Sequence, residues 1–139
     1  MKLLDTNIVI YGVGRDHPYK KSCAQLLEQV REGNGEFIID AELLQEILYV
    51  YTNRRERQRG LSIVNDLLNA FPDPLPITRH EIVVAHGLML LYPALGPRDA
   101  IHAAVVQTQR LEGIVTADRI FKQLGVVTAF DPRDITSGF

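Results

Sequence analysis

The chain has 139 residues, 46% of them hydrophobic, with 15 Lys and Arg against 17 Asp and Glu for a formal net charge of −2. So much apolar material excludes a disordered chain, near-neutrality excludes nucleic-acid binding by bulk charge, and the single Cys23 excludes an internal disulfide or a thiolate metal cage. No apolar run reaches the ~18–20 residues of a membrane span, and the opening Met1-Lys2-Leu3-Leu4-Asp5 turns acidic too soon for a secretory signal. The expectation is a cytoplasmic protein with no membrane contact, one domain over residues 1–139.

Residues 2–4 read as a short strand stopped by Asp5, and residues 6–13 as a short helix closed by Gly12 and Gly14. Residues 18–32 form a helix with Cys23, Leu26, Leu27 and Val30 on one face, ended by Gly33-Asn34-Gly35. Residues 36–39 are a buried strand. Residues 41–53 are helical, with Leu43, Leu44, Ile47, Leu48 and Tyr51 at helical spacing. Another helix, residues 57–71, runs through Leu61, Val64, Leu67 and Leu68. After Pro72-Asp73-Pro74, Leu75-Pro76-Ile77 reads as a short strand that its proline pushes to a sheet edge. Residues 78–91 are helical, 92–97 a loop, and 98–111 a helix entered through Gly96-Pro97. A strand at 113–116, a short helix at 118–124 and a last strand at 126–128 complete the pattern. Strands separated by helices predict βαβ units and an α/β fold of three layers around a mostly parallel sheet.

In an open α/β sheet, ligands bind outside the carboxyl ends of the strands. Asp5 directly follows the first strand, and Asp118 lies two residues beyond the strand ending at Thr116. Asp99 sits in the first turn of its helix. Glu46 lies one turn beyond Glu42, on a stripe with Tyr49 and Asn53 that borders the apolar face. Each has a plainer reading: Asp99 as a residue favoured by the helix dipole, Asp118 as an N-cap, Glu46 as a solvated helix residue. Asp5 is harder to dismiss, since Asp is depleted from strands abutting an apolar core. Carboxylates converging on one pocket repel one another and raise their own pKa values, which makes sense mainly around a divalent cation. Oxygen ligands without His or Cys point to Mg²⁺ or Mn²⁺, and such a metal suits phosphoryl chemistry.

Taken in order, four segments resemble a known family. Leu3-Leu4-Asp5-Thr6-Asn7-Ile8, Glu46 in a Leu-x-x-Glu helix, Pro97-Arg98-Asp99-Ala100-Ile101-His102-Ala103-Ala104 and Val115-Thr116-Ala117-Asp118 are similar to the PIN-domain family. They most resemble the small VapC-type toxin ribonucleases of bacterial and archaeal toxin–antitoxin pairs, over essentially the whole chain. The resemblance implies an α/β/α sandwich around a parallel five-stranded sheet and a metal-dependent endoribonuclease site. By the same resemblance, Asp5, Glu46, Asp99 and Asp118 would be the catalytic quartet, with Asp5, Asp99 and Asp118 on Mg²⁺ or Mn²⁺. Thr6, Asn7 and Thr116 would be polar supports, and a metal-activated water would attack an RNA phosphodiester to leave a 5′-phosphate. A VapB-type antitoxin that occludes the site and a homodimer are also implied. Many members carry a further acidic residue two positions after the last aspartate, where this chain has Ile120; the departure bears on a second metal.

Arg54-Arg55-Glu56-Arg57-Gln58-Arg59 concentrates a net +3 in six residues. It reads as a solvated helix end or, beside a phosphodiester site, as RNA phosphate contacts through Arg54, Arg55, Arg57 and Arg59. Arg98, next to Asp99, is a further candidate phosphate contact. His102, three residues after Asp99 and on nearly the same helix face, reads as a packed or supporting histidine rather than a ligand. Two other functions compete. An aspartyl-phosphate-forming phosphohydrolase built on Asp5 wants a second Asp two residues on, where the chain has Asn7. A non-catalytic PIN-like RNA-binding module has no reason to keep four mutually repelling carboxylates.

Overall fold

Short strands alternate with helices in the computed structural model, which describes residues 1–136. They are β1 (Lys2–Leu4), α1 (Thr6–Val13), α2 (Lys20–Arg31), β2 (Phe37–Ile38), α3 (Ala41–Asn53), α4 (Arg57–Ala70), α5 (Arg79–Leu91), α6 (Pro97–Thr108), β3 (Gly113–Val115), α7 (Ile120–Leu124), β4 (Ala129–Phe130) and α8 (Pro132–Thr136). The strands are all parallel, in the order β2-β1-β3-β4. Successive strand residues face opposite sides of a sheet. Leu4 and Val115 accordingly pack with α1 to α4, while Leu3 and Ile114 pack with α5, α6 and α7. Helices on both faces bury both sides of the strands, which is why the strands are apolar without alternation. Among the described residues no helix is long and apolar enough to cross a membrane.

Two sequence expectations are corrected. Among the described residues the sheet has four strands, not five. Leu75 makes one parallel bridge to Asp40: its N–H donates to the Ile39 carbonyl at 2.9 Å, and its carbonyl accepts from the Ala41 N–H at 2.8 Å. Pairing stops after that one residue, and Pro74 and Pro76 on either side face the outer edge, where a missing N–H costs no ladder bond. The last strand is Ala129–Phe130 rather than residues 126–128. Gly125 takes a left-handed φ of 67° to end α7, and Val126 and Val127 are spent packing against the helices of that face.

The helix ends that matter for the site are built locally. The Asp40 side chain caps α3 by accepting from the Leu43 N–H at 2.9 Å. At the other end of α3, Arg55 adopts a φ of 59°; its N–H donates to the Thr52 carbonyl and that of Glu56 to the Tyr51 carbonyl. This is a Schellman closure with arginine where glycine is usual.

Gly113 is where β3 and β4 touch. A Cβ there would collide with the Thr128 carbonyl oxygen and stand 2.8 Å from the Phe130 ring. Gly113→Ala is therefore expected to destabilise the fold by about 1–3 kcal/mol, read as a lower urea midpoint with an unchanged slope.

Candidate metal and nuclease site

β1 and β3 run side by side with Leu4 opposite Val115, so Asp5 and Thr116 leave the sheet together. Asp5 is 5% exposed and caps α1, its Oδ1 accepting from the Thr6 N–H at 2.7 Å. Its Oδ2 accepts from Thr116 Oγ1 at 2.7 Å and from Asn7 Nδ2 at 3.3 Å. Asn7 Oδ1 accepts from the Ala117 N–H, and Thr116 Oγ1 from the Asp118 N–H at 3.0 Å. Thr6, Asn7 and Thr116 thus surround Asp5, and the last two also hold the turn that carries Asp118. The exposed Asp118 accepts from the Ile120 N–H at 3.0 Å. That bond starts α7 two residues later than the sequence pattern suggests.

Asp99 stands in the first turn of α6, behind Pro97. Its carboxyl is pushed up to about 6, by burial first and then by the charges of Asp5, Asp118 and Glu46, with His102 opposing. Asp5 is also raised, chiefly by burial, against the pull of His102 and Thr116. Asp99 therefore lies within the fields of the other three, and Asp5 within that of Glu46. Glu46 differs from the other three. Burial pushes it up, but His102, Thr6 and Arg98 outweigh this and hold it below the usual range. Arg98 reaches Glu46 Oε1 at 3.3 Å and lies 4.6 Å over the Tyr49 ring.

Beneath this cluster lies a pair that sequence reasoning only half anticipated. His102 Nδ1 is 2.7 Å from Asp40 Oδ2, and both side chains are fully buried. His102 Nε2 is 3.4 Å from Thr6 Oγ1, 3.7 Å from Asp5 Oδ1 and 3.9 Å from Glu46 Oε2. Burial opposes charge on the ring, but Asp40, Glu46 and Asp5 outweigh it and hold the imidazole well above the ordinary histidine range. Asp40 was missed. The signal was present: it follows the second strand at the place where Asp5 follows the first.

Among the described residues no three His, Cys, Asp or Glu side chains form a ready coordination shell. The donors are carboxylate oxygens, one of them on the exposed Asp118. Such a set fits a hard cation that keeps much of its own water and not a closed tetrahedral cage. The Arg54–Arg59 run lies elsewhere, at the α3–α4 corner. Arg54 is eight residues along α3 from Glu46, a rise of about 12 Å.

A carboxyl raised in the folded state contributes stability below its unfolded pKa and loses it as pH rises through the folded value. For Asp99 that window runs from 3.8 to about 6. In EDTA the wild type should lose stability across it, while Asp99→Asn should flatten the loss. Screened by solvent, the variant should be on the order of 1–2 kcal/mol more stable at pH 7. Melting curves over a pH series check this; a less stable variant at pH 7 would make Asp99 a helix-start residue. His102→Ala strips a fully buried Asp40 of its partner and should cost about 3–5 kcal/mol, measurable by urea unfolding.

Residues 2–127 match the family model described as PIN domain. Ribonuclease VapC13 of Mycobacterium tuberculosis is 34% identical over 121 residues, covering 87% of this chain and 92% of that protein. Ribonuclease VapC23 of the same species is 32% identical over 118 residues, covering 85% and 93%. The fold superposes on the crystal structure of FitAcB from Neisseria gonorrhoeae with a TM-score of 0.73 at 17% identity, covering 95% of this chain and 98% of that one. VapBC2 from Rickettsia felis, bound to a DNA fragment from their promoter, gives 0.71 at 17% identity, covering 93% and 96%. At such identities the two structures speak for the fold alone. The family match along nearly the whole chain, with relatives a third identical across most of both sequences, leads to one assignment: this chain belongs to the PIN-domain family.

Proposed function

We propose that the chain is a single nuclease domain, a metal-dependent endoribonuclease that acts in the cytoplasm as the toxin of a toxin–antitoxin pair. The observation that carries the reading is the half-buried Asp99 beside the ends of β1 and β3, its carboxyl raised by burial and by the charges of Asp5, Asp118 and Glu46. Two raised carboxyls, Asp5 and Asp99, with Asp118 and Glu46 beside them, make sense when a cation joins them. The ribonucleases named above supply the reaction class. A phosphohydrolase forming an aspartyl-phosphate is disfavoured, because the residue two positions after Asp5 is Asn7, which donates to Asp5.

Asp5, Asp99 and Asp118 would hold Mg²⁺ or Mn²⁺, which when bound supplies neutralisation of the phosphate charge and an activated water. The chain does the rest. Asn7 and Thr116 orient Asp5, and Thr116 holds the turn carrying Asp118. Glu46, kept ionised by its neighbours, steadies Arg98 beside the site, where its guanidinium can meet a phosphate. Asp99, raised to about 6, would be held ionised by the cation, so that metal affinity falls with pH below that value. A VapB-type antitoxin and a second copy of the chain are the proposed protein partners. In support, α5 leaves Ile82, Val83, Leu90 and Leu91 exposed, up to 73% for Leu90, apolar surface of the kind that marks a protein interface.

Purified protein should cleave RNA in Mg²⁺ or Mn²⁺ and stop in EDTA. Asp5→Asn and Asp99→Asn should each lower kcat/KM by about 100-fold or more, beyond the 10–100-fold range of a supporting residue such as Asn7. RNA binding without cleavage in either metal would make the chain a binding module instead.

A further inference from the structure

Asp118 and Thr116 open onto a cleft of 490 Å³ that Tyr19, Arg119, Lys122 and Arg133 also line. A second cleft, of 550 Å³, lies at the far end of α1 and is lined by Tyr11, Arg15, His17, Tyr51, Arg54 and Arg59. Three rings join the two. Tyr11 and His17 stack with centroids 3.9 Å apart and planes within 9°, and Tyr19 lies 6.3 Å and 6.0 Å from them. Tyr19 belongs to the first cleft, Tyr11 and His17 to the second, so an aromatic bridge connects the carboxylate site to the α3–α4 corner.

Unpaired cations stand at both ends of that bridge. Among the described residues Arg119 and Lys122 at one end, and Arg15 and Arg54 at the other, take part in no ion pair. The nearby carboxylates are partly spoken for. In the first cleft Asp131 is held by Arg133 at 2.9 Å and by the Tyr19 hydroxyl at 3.1 Å, with Asp118 and Asp134 also on its wall; in the second Glu56 faces Arg59 at 3.9 Å, and Asp16 stands beside Arg15. Arg54 and Arg59 both lie over the Tyr51 ring, at 5.5 and 5.6 Å. Arg59 is committed to the last turn of α1 through the Val13 carbonyl, which leaves Arg54 as the free guanidinium on that ring. His17 is exposed, so the Tyr11–His17 stack has an end open to solvent.

Cations beside a ring stack whose exposed member, His17, can take a base suit a single nucleic-acid strand, because its phosphates and unpaired bases are both available. A duplex keeps its bases paired, and an acidic protein would use the cations and leave the rings idle. We propose that single-stranded RNA runs from the carboxylate site along this track. Its phosphates meet Arg119 and Lys122 near Asp118, and Arg15 and Arg54 beyond α1, while an unpaired base extends the Tyr11–His17 stack. The inference rests on the ribonuclease reading for where the strand starts; binding along the track needs no cleavage.

The test is fluorescence anisotropy of the full chain in EDTA, with labelled oligouridines of about 4 and about 12 nucleotides and a duplex of the longer length. The wild type should bind the longer single strand about 10-fold tighter than the shorter one, and prefer it to the duplex. Arg15→Ala with Arg54→Ala should abolish the gain from lengthening and lower the salt slope by about 1.4, ~0.7 for each phosphate of a single strand left without its arginine. His17→Ala should weaken the longer strand about 5-fold or more. These side chains are exposed, and unchanged melting temperatures will show that the variants fold; Arg119→Ala with Lys122→Ala repeats the test at the other end. Wild-type affinity and salt slope in both double variants would overturn the track and assign its cations to a protein contact. Cleavage in Mg²⁺ is scored separately: a wild type that never cuts RNA sinks the ribonuclease reading, whereas a wild type that cuts while the variants bind normally sinks only the track.

Discussion

Like charges held close together need something of the opposite sign beneath them, and in this fold that something is the His102 ring, kept charged by the buried Asp40. Asp40 starts α3, which packs on one face of the sheet, and His102 sits in α6, which packs on the other. Their 2.7 Å contact ties the two helical layers together where β1 and β3 deliver Asp5 and Thr116. From there the imidazole faces Asp5 and Glu46 at 3.7 and 3.9 Å. Buried ionic groups rarely add net stability. What the His102 ring provides is a compensating charge under a carboxylate cluster that would otherwise be opposed by both desolvation and repulsion.

The sheet itself is slight. Its strands are two or three residues long, and the segment around Leu75 adds one bridge. Such a sheet is held less by its ladder than by the side chains buried on both faces. Leu3, Leu4, Ile114 and Val115 are all fully buried. The short strands have a consequence for chemistry: β1 and β2 each lead within a residue or two into a helix, so Asp5 caps α1 and Asp40 caps α3. One aspartate can therefore satisfy a helix end and present a second oxygen to its neighbours. Asp5 splits its two oxygens in this way, one to the Thr6 N–H and one to Thr116 and Asn7.

A net charge of −2 conceals a divided surface. Acidic groups collect at the strand ends, while arginines and a lysine without carboxylate partners flank the ring stack that leads away from them. A polyanion approaching such a molecule is repelled at the centre and drawn in at the margins, and a cation at the centre removes the repulsion. Local arrangement, rather than overall charge, decides what such a surface attracts.

Much of this was legible in the sequence because the relevant signals are short-range. Apolar runs followed at once by Asp5 or by Thr116 and Asp118, helical periodicity from 41 to 53, and Pro97 ahead of Asp99 all depend on neighbours within one or two turns, and they carried the fold class and the acidic quartet. The tertiary structure alone decided which distant groups meet. Asp40 and His102 are 62 residues apart, and nothing local marks them as partners. Nor does local sequence say that Tyr11, His17 and Tyr19 form one stack between two clefts. The last strand shifted from 126–128 to Ala129–Phe130 for the same reason. Periodicity identifies an apolar run, but only register against β3 and the competing demand of the helical layer decide which of its residues pair. Propensity and capping act along the chain, whereas desolvation and charge act through space, and the site is built from the second kind of force.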